Sequence, residues 1–338
     1  MKRFIIRSLI YLSPLLLVFL VVFLVDPYYL FHKDRAFDEQ RFEIGYSFDQ
    51  GRRYKIFTYW NNPTEKIILG ASEINIINER NIPEEGWHSL SYGGAPLQES
   101  LQMYWEVSKE HHLTKVIIAP EFIKYFNAIS SANGDPYYAN FKWESCQSAI
   151  ALNIYSNILD YFVDKYTLKT TFSYVVNLIH SQKTQSKPAG TKEEFWKHQM
   201  GYAHHVYREG SLISDKKKEV KNLFKLIKED AEKKDVEVIV VIPIQHVELL
   251  KEEFQEGVYN TYLEYISSLI DIFGGVYYLA FTDGVSQNAD MFSDPFHCTF
   301  EKPYLDYLFG ENTDNRLTQE SVKEYLDEVR SILYPHGK

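Results

Sequence analysis

Three short stretches of this chain carry side chains that together could make and break an acyl bond. In "KIILGASEINI", Lys66 to Ile76, an apolar run through Ile67, Ile68 and Leu69 ends at Gly70 and hands over to Ala71, Ser72 and Glu73. A buried strand that stops at a glycine and passes into a small hydroxylated turn presents a side chain above the edge of a parallel sheet. The same serine could simply cap a helix over "EINIINER", the plainer reading that a catalytic role must beat. A nucleophilic serine needs a base within hydrogen-bond reach, and the base needs a partner to orient it. "MFSDPFHCTF", Met291 to Phe300, offers both, with Asp294 and His297 three positions apart. One loop or helical turn would let the carboxylate accept from one imidazole nitrogen while the other faces Ser72, although such pairs also form ordinary surface hydrogen bonds. Acyl transfer further needs donors for the oxyanion. "SYGGAP", Ser91 to Pro96, supplies Gly93 and Gly94, which allow a tight turn and leave a backbone N–H unobstructed; the N–H of Ser72 is the second candidate donor. Glu121, after a third apolar run, could enter the same site or simply cap a helix.

These residues converge only if the elements that carry them share one sheet edge. Short apolar runs recur at 66–69, 87–92, 115–119, 236–242 and 275–281, separated by amphipathic stretches. Helical spacing is clearest over Pro96 to His111 and over Asp215 to Lys234, where Val220, Leu223, Phe224 and Ile227 share a face. Strands alternating with helices imply right-handed βαβ units, so the expected fold is an α/β, doubly wound, five-stranded parallel sheet covered on both faces. Between the third and fourth runs lies a tyrosine-rich insertion, about 121–214, expected to be mainly helical, with an exposed loop near 181–194. "TQESVKEYLDEVRSIL" closes the chain as an amphipathic helix, with Thr318 and Ser321 as candidate caps and Val322, Leu326, Val329 and Leu333 on one face.

The order of these blocks resembles the SGNH, or GDSL-like, hydrolases and acyltransferases, whose domain is flavodoxin-like. In that family the nucleophile follows the first strand, a glycine the second, an asparagine the third, and a D-x-x-H motif closes the chain. Ser72 in "LGASE", Gly94 in "SYGGA", and Asp294 with His297 in "SDPFH" match three of the four, over most of residues 60–335. The third block departs: "IIAPEFIKYFN" has Pro120 and Glu121 where the family's common members carry Gly-x-Asn-Asp, so that donor is missing or comes from elsewhere, with Asn127 as a candidate. The resemblance is nearest to the exported SGNH proteins that accompany membrane-bound O-acyltransferases, such as the alginate O-acetylation proteins and the D-alanyl transfer protein of teichoic acid synthesis. It implies transfer or removal of an acyl group on a cell-surface glycan, with a multispanning membrane-bound O-acyltransferase as partner and no cofactor. A catalytically degenerate SGNH domain that binds glycan or scaffolds that partner is the alternative. An unrelated flavodoxin-like receptor domain is a third reading if Ser72 and His297 lie far apart.

The N-terminus points the same way. Lys2, Arg3 and Arg7 precede about 18 uncharged residues, Ser8 to Val25, enough to cross a bilayer. No small-residue cleavage site follows, so residues 1–25 read as an uncleaved anchor inserted through residues 4–25. The positive-inside rule then leaves the N-terminus cytoplasmic and the rest extracytoplasmic. Tyr28, Tyr29 and Phe31 fall where an interfacial aromatic belt would sit, at the start of a lead-in, 26–64, before the domain at 65–335. A buried N-terminal helix is the competing reading. The chain of 338 residues carries a formal charge of −10, or −13 without Lys2, Arg3 and Arg7, which argues against nucleic acid as a partner. Cys146 and Cys298 could pair in an exported domain or stand as two small apolar side chains. His111, His112, His198, His204 and His205 lack metal-ligand spacing, so no metal is expected. Trp143, Tyr155, Tyr161, Trp196, Tyr202 and Tyr207 in the insertion could stack on sugar rings or pack a helical core.

Overall fold

A computed structural model describes residues 2–32, 38, 40, 41, 43, 44, 52–77, 79–95, 97–123, 125, 158–180, 191–209, 214–310 and 316–335. Asn127, Trp143, Cys146, Tyr155 and most of the 181–194 loop lie outside the described residues. Along the chain run α1 (Lys2–Val25), α2 (Arg52–Asn61), β1 (Lys66–Gly70), β2 (Trp87–Ser89), α3 (Leu97–Glu110) and β3 (Lys115–Ala119). Then come α4 (Ile158–Val163), α5 (Lys165–His180), α6 (Lys192–Glu209), α7 (Ser214–Lys233), β4 (Glu237–Ile242), α8 (Val247–Phe254) and α9 (Tyr259–Phe273). The chain closes with β5 (Val276–Tyr278), β6 (Phe292–Asp294), β7 (His297–Cys298), α10 (Lys302–Phe309), β8 (Arg316–Leu317) and α11 (Val322–Leu333).

The chain divides into two compact units, residues 1–63 with 150–187, and residues 64–149 with 188–338. The segment between β3 and β4 is therefore shared: α4 and α5 belong with the N-terminal helices, and α6 and α7 with the sheet.

The second unit is built on a sheet of order β2-β1-β3-β4-β5-β8. Its first five strands are parallel, with Gly70 opposite Ala119 and Ile117 opposite Ile239, and they follow the flavodoxin-like order 2-1-3-4-5. The five apolar runs of the sequence become these strands because a parallel strand covered on both faces must be apolar throughout. The expected five-stranded sheet gains a sixth strand: β8 pairs antiparallel with β5. Ile68, Ile117, Val241 and Leu279 sit in the core with Ile74, Phe292, Cys298 and Tyr304. The turn after β1 and the hairpin β6–β7 are thus tied to the sheet by their own buried side chains. On α11 the buried residues are Val322, Leu326, Val329 and Leu333, the stripe its spacing implies.

In the first unit, α1 ends at Asp26 and Pro27, and the fully buried Asp26 carboxylate organises the turn beyond. It accepts from the N–H groups of Leu30, Phe31 and His32 and from the Tyr161 hydroxyl, at 2.8 to 2.9 Å. Tyr28 and Tyr29 are drawn inward by this turn: both are buried, and Tyr28 packs with Val22, Phe57 and Tyr161. The aromatic belt expected of them is corrected, since rings that surround a satisfied buried carboxylate do not face an interface. The lead-in, which shows no clear period in sequence, contains helix α2. Among the described residues no helix is long and apolar enough to cross a membrane. The described part of α1 nevertheless turns Leu12, Leu16, Leu20 and Leu24 outward.

Candidate active site

The site is assembled at the carboxyl edge of the sheet, where strand order reverses between β1 and β3 and such folds bind ligands. Leaving β1, the chain makes a 3-10 turn over Ser72–Ile74 that buries Glu73 and Ile74 and leaves Ser72 half-buried. The helix that Ser72 would have capped does not form. Ala71 occupies the cap position without a side-chain bond, and the carbonyl of Ser72 accepts from Asn75 N–H at 3.2 Å. Gly70 permits this turn because a Cβ there would lie 2.7 Å from Ile74 Cγ2 and 3.1 Å from Ala119 Cβ.

Asp294 and His297 face each other across the hairpin β6–β7, rather than along a helical turn, and Asp294 Oδ2 lies 2.6 Å from His297 Nδ1. Asp294 is buried, and its Oδ1 accepts from Phe296 N–H at 2.9 Å, so both carboxylate oxygens are committed and the imidazole is oriented. The hairpin is held from outside: the His246 N–H donates to the Pro295 carbonyl at 3.1 Å. The His246 ring meets Trp196 and Phe292 edge-on, at 4.8 and 5.3 Å between centroids. Strand β7 packs against the 3-10 turn of Ser72, so the elements carrying serine and histidine are neighbours. Nε2 is the nitrogen left for a second partner.

The second block folds as a turn closed by Ala95 N–H donating to Tyr92 O, with Gly94 at φ +67°, a conformation that suits glycine. Gly93 is buried and Gly94 exposed. A link invisible in the sequence joins this segment to the serine turn. Ser91 Oγ donates to Asn75 Oδ1 at 2.5 Å and lies 2.6 Å from Ser89 Oγ. Only the position of Asn75, three residues past Ser72, could have suggested it. Glu121 is buried just past β3, with the Pro120 carbonyl accepting from the Tyr265 hydroxyl at 3.1 Å.

Behind the site the charge balance is unusual. Burial, and then neighbours that include the carboxyls of Glu253, Glu121 and Glu73, drive the Tyr265 hydroxyl far above its ordinary range. Glu253 on α8 is itself pushed up to about 8 by burial, against the lowering effect of hydrogen bonds from Tyr207 and Gln245. Burial pushes His246 down, consistent with a neutral ring whose Nδ1 accepts from Glu248 N–H at 3.3 Å. His246 and Glu253 escaped the sequence reading, although "PIQHVELLKEEF" follows a strand end on the same edge.

Of the other sequence candidates, His204 pairs with Glu252 at 3.2 Å. Among the described residues no group of three or more His, Cys, Asp or Glu side chains could hold a metal ion. Cys298 is a buried free thiol within the core. Trp196 donates from Nε1 to Glu248 at 2.6 Å, while Tyr161 and Tyr207 are buried. Ser72, His297 and Asp294 thus lie on adjoining elements, with the Asp294 carboxylate paired to the His297 imidazole. The chain matches no protein-family model, no curated protein and no solved structure.

Proposed function

We propose that this protein is an SGNH-type, membrane-anchored O-acyltransferase or esterase that acts on acyl groups of a cell-surface polysaccharide through Ser72, His297 and Asp294. The observation that carries the reading is the oriented Asp294–His297 pair on a hairpin packed against the Ser72 turn. His297 Nε2 takes the Ser72 Oγ proton as Oγ attacks the acyl carbonyl carbon. The oxyanion is received by the N–H groups of Ser72 and Gly94, and its collapse breaks the bond to the leaving oxygen, which takes the proton from His297. A glycan hydroxyl or water then gives its proton to His297 and attacks the acyl-serine, and Ser72 leaves with that proton restored.

The anchor is part of the same proposal. Although no helix among the described residues is long and apolar enough to cross a membrane, the basic start, the outward leucines and the length of α1, 24 residues or roughly 36 Å at about 1.5 Å per residue, support this reading against a hydrocarbon layer of about 30 Å. Lys2, Arg3 and Arg7 would hold its start in the cytoplasm, leaving the catalytic unit outside with a multispanning acyltransferase as its source of acyl groups.

A fluorophosphonate probe tests the chemistry. Covalent labelling that disappears in Ser72→Ala is expected; no labelling, or equal labelling of the variant, refutes it. A second reading, a degenerate domain that binds glycan or scaffolds the partner, draws on one observation: a buried carboxyl, Glu121, stands where the family's third donor is expected. It predicts full cellular function in Ser72→Ala.

A further inference from the structure

Helix α5 is inside out. Its fully buried residues are Thr167, Thr170 and Thr171, whereas Phe172, Val176 and Ile179 are 43%, 50% and 72% exposed. A helix at the surface of a water-soluble domain has the opposite arrangement, apolar stripe inward and hydroxyls outward. Phe172, Val176 and Ile179 are spaced i, i+4, i+7 and form one outward stripe. From Thr170 to Ile179 the sequence "TTFSYVVNLI" has no charged residue. The same stripe begins, one and two turns earlier, with the exposed Lys165 and Lys169. Read along its outer face, α5 is basic at one end and apolar at the other.

What lies on the inner side fits this inversion. In the same unit α5 packs against α1, and the Tyr28 hydroxyl lies 3.3 Å from Thr170 Oγ1. Thr167 Oγ1 donates to Asp164 Oδ2 at 3.2 Å. Small hydroxylated residues turned toward a neighbouring helix, with apolar residues turned outward, are the pattern of helix pairs in lipid, where hydroxyls need partners and side chains facing the hydrocarbon do not. The outward leucines of α1 continue the apolar surface on the helix that α5 touches.

We propose that the outer face of α5 is a second membrane contact, seated in the lipid bilayer beside α1. This rests on the reading of α1 as an anchor. With 16 residues, about 24 Å, α5 is too short to span a layer of about 30 Å. It lies tilted in the interface, the stripe from Phe172 to Ile179 about 5–10 Å into the headgroup and acyl boundary, while Lys165 and Lys169 reach anionic headgroups along their aliphatic stems. Two contacts instead of one fix the first unit's orientation on the membrane rather than letting it swing about a single helix.

The test uses the full chain in phosphatidylethanolamine and phosphatidylglycerol vesicles that carry spin-labelled acyl chains. Single cysteines at Phe172, Val176, Ile179, Lys169 and Leu16, in a Cys146→Ser background with the buried Cys298 retained, receive an environment-sensitive fluorophore. Loss of most fluorescence at Phe172, Val176, Ile179 and Leu16, with little loss at Lys169, is expected. Quenching at Leu16 alone overturns the inference and leaves the anchor standing; that outcome includes a face reserved for a partner protein's helix. No quenching at either helix overturns both. Val176→Trp with brominated lipids repeats the measurement without new cysteines, and a variant that elutes as aggregate is replaced by this one.

Discussion

Glu253 gives a prediction that is independent of any catalytic assignment. The residue is fully buried on α8, with Oε1 accepting from Tyr207 Oη at 2.8 Å and Gln245 Nε2 at 3.1 Å. Its Oε2 is buried with no hydrogen-bond partner among the described residues. A charge there would have one bare oxygen in an apolar surrounding, and burial accordingly raises its pKa from 4.5 to about 8. The sign follows from proton counts. Below about pH 4.5 the folded and unfolded chains both hold the proton and no difference arises. Between about 4.5 and 8 the unfolded chain has released it and the folded chain keeps it, so stability falls as pH rises, by about 1.4 kcal/mol per unit. Above about 8 both are ionised and the loss levels off near 5 kcal/mol. Glu253→Gln has no proton to release. Relative to its value at pH 5, the variant's advantage over the native chain should therefore grow by about 3 kcal/mol at pH 7.5. Urea unfolding of full-length protein at a series of pH values measures this growth, which any constant effect of the substitution leaves untouched. Curves for the two proteins that run parallel from pH 5 to 8 would refute the reasoning.

Three further outcomes follow from the site. Asp294→Asn keeps the shape of the hairpin but reverses the tautomer demanded of His297, so probe labelling or ester turnover should fall about 10³- to 10⁴-fold with the circular dichroism unchanged. Gly70→Ala forces a Cβ to within 2.7 Å of Ile74, which should cost about 1–3 kcal/mol in urea unfolding and slow labelling of the displaced Ser72. Glu121→Gln should label at least as fast as the native chain and Glu121→Ala more slowly, since the amide offers an N–H donor and alanine none. A faster Glu121→Ala would deny that position any part in oxyanion binding.

The sheet was legible because parallel strands buried on both faces leave unbroken apolar runs, and the observed β1, β3 and β4 lie within a residue of "KIIL", "KVIIA" and "VEVIVVI". Strand β8 was not, because two residues, Arg316 and Leu317, carry no period. The pairing of Asp294 with His297 follows equally from a helical turn or a hairpin of the same spacing, so the sequence suggested the contact without its geometry. Helix α5 was hidden for a different reason. Its periodicity is present, but burial cannot be assigned to a face until α1 is seen against the threonines. Tyr28 and Tyr29 were misassigned because a buried Asp26 collects four donors from residues 30 to 161. Nothing local to "DPYYLF" reveals that.

The third edge position is where the two functional readings part. Under the proposed mechanism an oxyanion would be received by the Ser72 and Gly94 N–H groups, and the end of β3 is the third position of that edge. There the chain carries Glu121, with Glu73 and Glu253 close enough that all three act on Tyr265. A carboxylate at that point repels developing negative charge, whereas a carboxylic acid donates a hydrogen bond to it. Acyl transfer therefore requires Glu121 to keep its proton or to turn its charge away from the oxyanion. Under the proposed reading, the labelling rates of Glu121→Gln and Glu121→Ala therefore decide whether this position assists the oxyanion.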